Sequence, residues 1–151
     1  MFRGVNKVNL DAKGRLAIPT RYRELLREGC ASQLIITLDP SYCLLIYPAP
    51  EWREIERKLM KLPSFNEAAR GLQRLLVGYA TDVEMDGQGR VLLSPPLREI
   101  AGLDKHVVLV GQGKKLELWD EERWNKQRDE WLKKADLEQL NRSAELETLS
   151  I

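Results

Sequence analysis

The sequence predicts an α+β protein: a β-rich, barrel-like core built from two tandem repeats, with amphipathic helices flanking it. Three observations lead there. The stretch Val8-Asn9-Leu10-Asp11-Ala12-Lys13-Gly14-Arg15-Leu16-Ala17-Ile18-Pro19 returns 75 residues later as Val83-Glu84-Met85-Asp86-Gly87-Gln88-Gly89-Arg90-Val91-Leu92-Leu93-Ser94, and an internal repeat constrains architecture before any single residue is interpreted. Around each copy, short alternating or aliphatic runs bounded by turn residues have the pattern of strands. Between and after the copies, apolar residues recur at helical spacing.

Val5 to Leu10 reads as a strand with Val8 and Leu10 on one face, and Leu16 with Ile18 continues the alternation after the turn. The two runs are therefore expected to pair as a hairpin. Asp11 can accept from backbone amides just ahead of it, and Gly14 can take the positive φ that closes the turn. Pro19 ends the return strand, after which Thr20 is expected to cap a helix from Arg21 to Arg27 that stops near Gly29. Gln33 to Leu38 and Tyr42 to Tyr47 are two further β-rich runs, joined by the turn signal Leu38-Asp39-Pro40-Ser41. Pro48 and Pro50 are expected to close the sheet region. Trp52, Ile55, Leu59 and Leu62 then mark an amphipathic helix that Pro63 stops. Asn66 can cap another through Leu72, Leu75 and Leu76 to Gly78.

The second half repeats the order. Val83 and Met85 precede the Asp86 to Arg90 turn, and Val91 and Leu93 follow it. Ser94-Pro95 reads as cap and first helical position of a helix ending at Gly102. Val107 to Val110 and Leu116 to Trp119 make a second hairpin, and Trp124 begins a polar helix carrying Trp131 and Leu132 toward Lys134. Beyond Ala135, Leu137, Leu140, Leu146 and Leu149 are compatible with a weak helix or a frayed tail. The expected divisions are 5–52 for the first repeat, 53–80 for the linking helices, 81–124 for the second repeat and 125–151 for the C-terminal helix and tail.

Composition narrows the function. With 151 residues, 43% of them hydrophobic and 31% charged, the chain can bury a core. It contains no apolar run near the roughly 20 residues needed to span a bilayer, and its start, Met1-Phe2-Arg3-Gly4, lacks the apolar stretch of a signal peptide, so a cytoplasmic location without membrane partners is expected. Cys30, Cys43 and the single His106 follow no metal-ligand spacing, and neither metal nor cofactor is expected. Walker, Rossmann and nucleophile-elbow motifs are absent, His106 has no partner visible in the sequence, and Gly111-Gln112-Gly113 is too short for a phosphate loop. The chain does not read as an enzyme. Its net charge is only +1, yet residues 1 to 27 hold seven cations against Asp11 and Glu24, a local +5, which is the kind of concentration a phosphate backbone attracts.

Asp11-x-x-Gly14-Arg15-x-x-Ile18-Pro19-x-x-x-Arg23 resembles the signature of SpoVT-AbrB-type swapped-hairpin DNA-binding domains, and Asp86-x-x-Gly89-Arg90-x-x-Leu93-x-x-x-x-Arg98 resembles a second one. The doubled arrangement resembles the MraZ family. That likeness extends to Met1-Phe2-Arg3-Gly4, to the Leu72-Gln73-Arg74-Leu75-Leu76 helix, and to the segment from Leu109-Val110-Gly111-Gln112 to Leu118-Trp119. The resemblance implies a nucleoid-associated bacterial transcriptional regulator. It would bind repeated boxes of double-stranded promoter DNA as a ring-shaped homo-oligomer, and usually repress its own operon in the division and cell-wall gene cluster. It also implies DNA contact by Lys13 and Arg15, and by Arg3, Lys7, Arg21 and Arg23.

Comparing the copies separates two layers. Asp11, Gly14, Arg15, Arg23 and Glu24 have counterparts Asp86, Gly89, Arg90, Arg98 and Glu99, whereas Lys13, Arg21 and Arg27 face Gln88, Pro96 and Gly102. Asp11, Gly14, Asp86, Gly89 and Arg90 are thus expected to build the turns, and the first copy to face DNA. Two readings of Arg15 stay open: a structural pair with Asp11 across the turn, or a bidentate grip on phosphate or guanine. Trp52, Trp119, Trp124 and Trp131 read as intramolecular core, with a protomer interface as the alternative. A structural or protein-interaction ring without specific DNA binding is the rival to the regulator.

Overall fold

Aliphatic runs too short for helices build the sheet, and the repeat decides how they pair. The computed structural model describes residues 1–135. In chain order it comprises β1 (Phe2–Asn9), β2 (Arg15–Ala17), α1 (Thr20–Cys30), β3 (Gln33–Leu38), β4 (Leu44–Pro48), α2 (Ala49–Met60), α3 (Glu67–Leu76), β5 (Thr81–Glu84), β6 (Arg90–Leu92), α4 (Pro95–Ile100), β7 (His106–Gly113), β8 (Leu116–Asp120) and α5 (Glu121–Lys134). Six strands form an antiparallel sheet in the order β1-β7-β8-β4-β3-β5, and β2 pairs with β6 in a separate two-stranded ribbon.

The hairpin expected between Val5–Leu10 and Leu16–Ile18 does not form. Instead β1 pairs along its length with β7, from Phe2 opposite Gly113 to Asn9 opposite His106, and β2 pairs with β6. The physical reason is that a period-2 pattern identifies a strand but not its partner, and a duplicated sequence offers two equivalent partners. The Asp11 carboxylate takes the amides of Lys13 and Arg15, which keeps the turn closed while the chain on either side diverges. Leu10 is drawn toward the second half by its amide, which donates to the Lys105 carbonyl at 2.8 Å. The two later pairs, β3 with β4 and β7 with β8, are the hairpins the sequence predicts.

Several helix ends differ from expectation. Thr20 is the first residue of α1 rather than its cap; Pro19 occupies the cap position and no side chain caps the helix. Gly29 lies inside α1, which ends at Ala31 in a left-handed conformation with its amide on the Arg27 carbonyl. Pro50 opens α2 instead of closing the sheet, because first-turn amides have no helical partner to lose. Ser94 stands at the N-cap of α4 but makes no side-chain cap bond. Asn66 does cap α3, accepting from the Ala69 amide at 3.1 Å.

Residues Met1–Glu121 form one compact unit. Its core joins both repeats: Leu16, Ile18 and Leu26 from the first and Val91, Leu93 and Leu97 from the second belong to one buried cluster with Ile36, Leu44, Leu109 and Leu116. Thr37, buried beneath α3, satisfies its hydroxyl by donating to the Leu76 carbonyl at 2.5 Å. Trp52 and Trp119 are buried, as expected of core residues. Cys43 is buried and Cys30 half-buried; burial pushes both thiols up, which leaves them poor nucleophiles. The second unit begins at Glu122, and in it the rings of Trp124 and Trp131 meet edge to face at 5.7 Å. The expectations for Leu137, Leu140, Leu146 and Leu149 lie outside the described residues.

Candidate nucleic-acid interface

The two turns are built alike, atom for atom. Asp11 Oδ1 accepts from the Lys13 and Arg15 amides, both at 2.9 Å, and Asp11 Oδ2 accepts from Arg15 Nε at 2.6 Å. In the second copy Asp86 Oδ1 accepts from the Gln88 and Arg90 amides at 2.9 Å, and Oδ2 from Arg90 Nε at 3.0 Å. Gly14 and Gly89 take φ of 81° and 75°, a conformation that β-carbons disfavour. These bonds hold both carboxyls below the usual carboxylate range, the amide of Arg15 acting first on Asp11 and that of Arg90 first on Asp86. Arg15 and Arg90 therefore take part in their own turns, each with its side chain about 30% exposed (29% and 30%).

The ribbon sets these arginines on one surface. Leu16 opposite Val91 points inward, both essentially fully buried. Because alternate residues of a strand face opposite ways, Arg15 opposite Leu92 and Ala17 opposite Arg90 share the outward face. The arginines stand at diagonal corners, with a turn at each end of the ribbon. Ala17 and Leu92 are exposed between them, Leu92 at 56%. Lys13 is exposed in the first turn.

The remaining N-terminal cations divide. Arg3 and Lys7 are exposed on β1, an outer strand of the sheet. Arg21 donates to the Asn6 side chain and to Tyr22 Oη at 3.1 Å, and its guanidinium lies 4.9 Å from the Tyr22 ring centre. Tyr22 in turn donates to the Arg3 carbonyl at 2.5 Å, which ties α1 to the backbone of β1. Asn6 shares the inward side of that strand with Phe2 and Val8, so the alternate residues Arg3 and Lys7 point to its opposite face, away from Arg21. Arg23 instead donates from Nε to the Ile18 carbonyl at 2.6 Å and lies against Gly89 of the second turn, while Arg27 reaches the Gly87 carbonyl at 3.5 Å. Two cations that the sequence assigns to the first copy thus stand beside the turn of the second. Counting charge by copy could not find this. Leu92 was also missed, although its alignment with Ala17 in the repeat was a signal for a matched outward position.

Among the described residues no helix is long and apolar enough to cross a membrane, and no group of three or more histidine, cysteine or acidic side chains is placed to hold a metal ion.

Comparison with known proteins agrees with this two-copy construction. The family described as "MraZ protein, putative antitoxin-like" matches twice, over residues 1–75 and 76–146. The chain is 60% identical to the transcriptional regulator MraZ of Thioalkalivibrio sulfidiphilus over 151 residues, covering all of both chains. It is 57% identical to that of Methylococcus capsulatus, covering 93% of this chain and 92% of the relative, and 65% identical to that of Nitrosospira multiformis, covering 84% and 86%. Two family matches in tandem, together with identity at this level along the full length, establish that the chain belongs to the MraZ family.

Proposed function

We propose that this chain is a transcriptional regulator that binds double-stranded DNA sequence-specifically and has no catalytic role, and that the outward face of the β2–β6 ribbon reads the bases. The observation that carries this reading is the diagonal of Arg15 and Arg90 with Ala17 and Leu92 between them on one exposed face. The major groove of B-DNA admits a two-stranded ribbon. Guanidinium groups there match guanine O6 and N7, and apolar side chains match the thymine methyl. Lys13, exposed in the first turn, is suited to a flanking phosphate, and Arg21 adds positive charge on α1, while Arg3 and Lys7 stand exposed on the opposite face of β1, where they can meet DNA only apart from the ribbon. Arg23 and Arg27 add charge beside the second turn. The relatives' name, transcriptional regulator, supports the same reading.

In its finer form the proposal is a cytoplasmic, nucleoid-associated repressor of its own operon in the division and cell-wall gene cluster. A single short ribbon with few cations binds weakly. A ring-shaped homo-oligomer that presents several ribbons to repeated promoter boxes gains avidity through effective concentration. A barrel-like closure of the sheet would give the ribbon a rigid base. A footprint on the DNA upstream of the chain's own gene tests this: regularly spaced protected boxes are expected, and a single unrepeated box or uniform protection would overturn the ring reading.

A further inference from the structure

We propose that the DNA-reading turn of the first copy is held by an arginine of the second: Arg98 is a positioning residue for Gly14, and through it for Lys13 and Arg15. The inference rests on the ribbon reading for its functional consequence, but not for its geometry. Arg98 Nε donates to the Leu93 carbonyl at 3.2 Å, and the amide of the same Leu93 donates to the Gly14 carbonyl at 3.1 Å. The Arg98 guanidinium also lies over Gly14 so closely that a β-carbon there would meet it at 2.6 Å. The turn is therefore gripped at its glycine from two sides by elements that follow the second copy's ribbon strand.

The arrangement is reciprocal. Arg23 Nε donates to the Ile18 carbonyl, the Ile18 amide donates to the Gly89 carbonyl at 2.8 Å, and the Arg23 side chain covers Gly89. Each copy's helix arginine thus braces the other copy's turn. Gly14 and Gly89 are needed twice over, for their positive φ and for the room they leave to the bracing guanidinium. An open cleft of about 490 Å³, lined among others by Asp11, Gly14, Arg98 and Lys105, borders the first turn. Direct contact of Arg98 with phosphate in this cleft is the competing role, and the salt slope together with Arg98→Lys distinguishes it from bracing.

The test uses the full chain carrying Arg98→Ala, Arg98→Lys or Arg23→Ala. In the free protein, amide exchange read by NMR at Lys13 and Arg15 is expected to rise roughly tenfold in Arg98→Ala, with Gln88 and Arg90 unchanged, and the reverse in Arg23→Ala. Arg98→Lys keeps the charge and the aliphatic stem but lacks the Nε donor to the Leu93 carbonyl, so it should fold as the parent does while loosening Lys13 and Arg15 as Arg98→Ala does, and it replaces the alanine variant where that one does not fold. On DNA, Arg98→Ala should bind about tenfold more weakly with the parent's salt dependence, because no phosphate contact is removed. Faster exchange confined to Gln88 and Arg90 in Arg98→Ala, or spread evenly over the chain, overturns the brace. So does a salt slope reduced by about 0.9 per engaged protomer together with full binding by Arg98→Lys. Failure of the parent chain to bind DNA would sink the ribbon reading while leaving the exchange result to decide the brace.

Discussion

Replacing Arg15 by alanine separates the two layers that meet in that residue. The amides of Lys13 and Arg15 donate to Asp11 Oδ1 from the backbone and survive the truncation; only the bond from Arg15 Nε to Asp11 Oδ2 is removed. That pair is open to solvent, with side chains 29% and 36% exposed, and exposed ion pairs contribute little because water screens them. In a chain of this size Arg15→Ala should therefore hold its Tm within about 4 °C of the parent. Loss of a guanine contact is worth about 1–3 kcal/mol, or roughly 5- to 150-fold in affinity for each protomer engaged. If the guanidinium meets phosphate instead, the slope of log affinity against log salt falls by about 0.9 per protomer. Thermal melting and fluorescence anisotropy over a salt series measure both. A Tm lowered by more than about 10 °C, or DNA affinity and salt slope equal to the parent's, would refute the assignment of Arg15 to both layers.

Lys13→Gln, which copies the second turn's Gln88, should lower the salt slope by about 0.9 per engaged protomer at unchanged Tm; an unchanged slope removes Lys13 from the interface. Leu16→Ala empties a site with no solvent exposure beneath the ribbon and should cost about 2–5 kcal/mol in denaturant titration, whereas a cost within about 0.5 kcal/mol would mean that the ribbon is not part of the core. The depressed carboxyls of Asp11 and Asp86 fix the sign of the acid response. Their contribution is present in full above the unfolded value of about 3.9 and is lost as pH falls through the lower folded value. Amide shifts of Lys13, Arg15, Gln88 and Arg90 should stay constant from neutrality down to about pH 5 and move only near pH 4 and below. Movement of all four between pH 7 and 5 would contradict the bonding described.

What was legible in the sequence was local chemistry. Asp11 with Gly14, and Asp86 with Gly89, specify their turns within five residues, so the bonds to the Lys13, Arg15, Gln88 and Arg90 amides follow from spacing alone. The Asn66 cap and the Leu38 to Ser41 turn are legible for the same reason. Partner choice was not, because the pattern of Val8, Leu10, Leu16 and Ile18 describes an inward face without saying across from what. Exchange of strands between the copies then moved the charges. Arg23 and Arg27, counted with the first turn, stand beside the second, and Arg98, an echo of Arg23 in the repeat, covers Gly14. The diagonal of Arg15 and Arg90 likewise exists only once β2 and β6 are paired in register.

Sequence-specific DNA binding is tested most directly by titrating a labelled fragment from upstream of the chain's own gene against a scrambled fragment of the same length, each at two salt concentrations. Tighter binding to both is expected at the lower salt, with the native fragment preferred by about a thousandfold or more at physiological salt. Equal affinity for the two fragments, or no binding to either at low salt, would contradict sequence-specific binding.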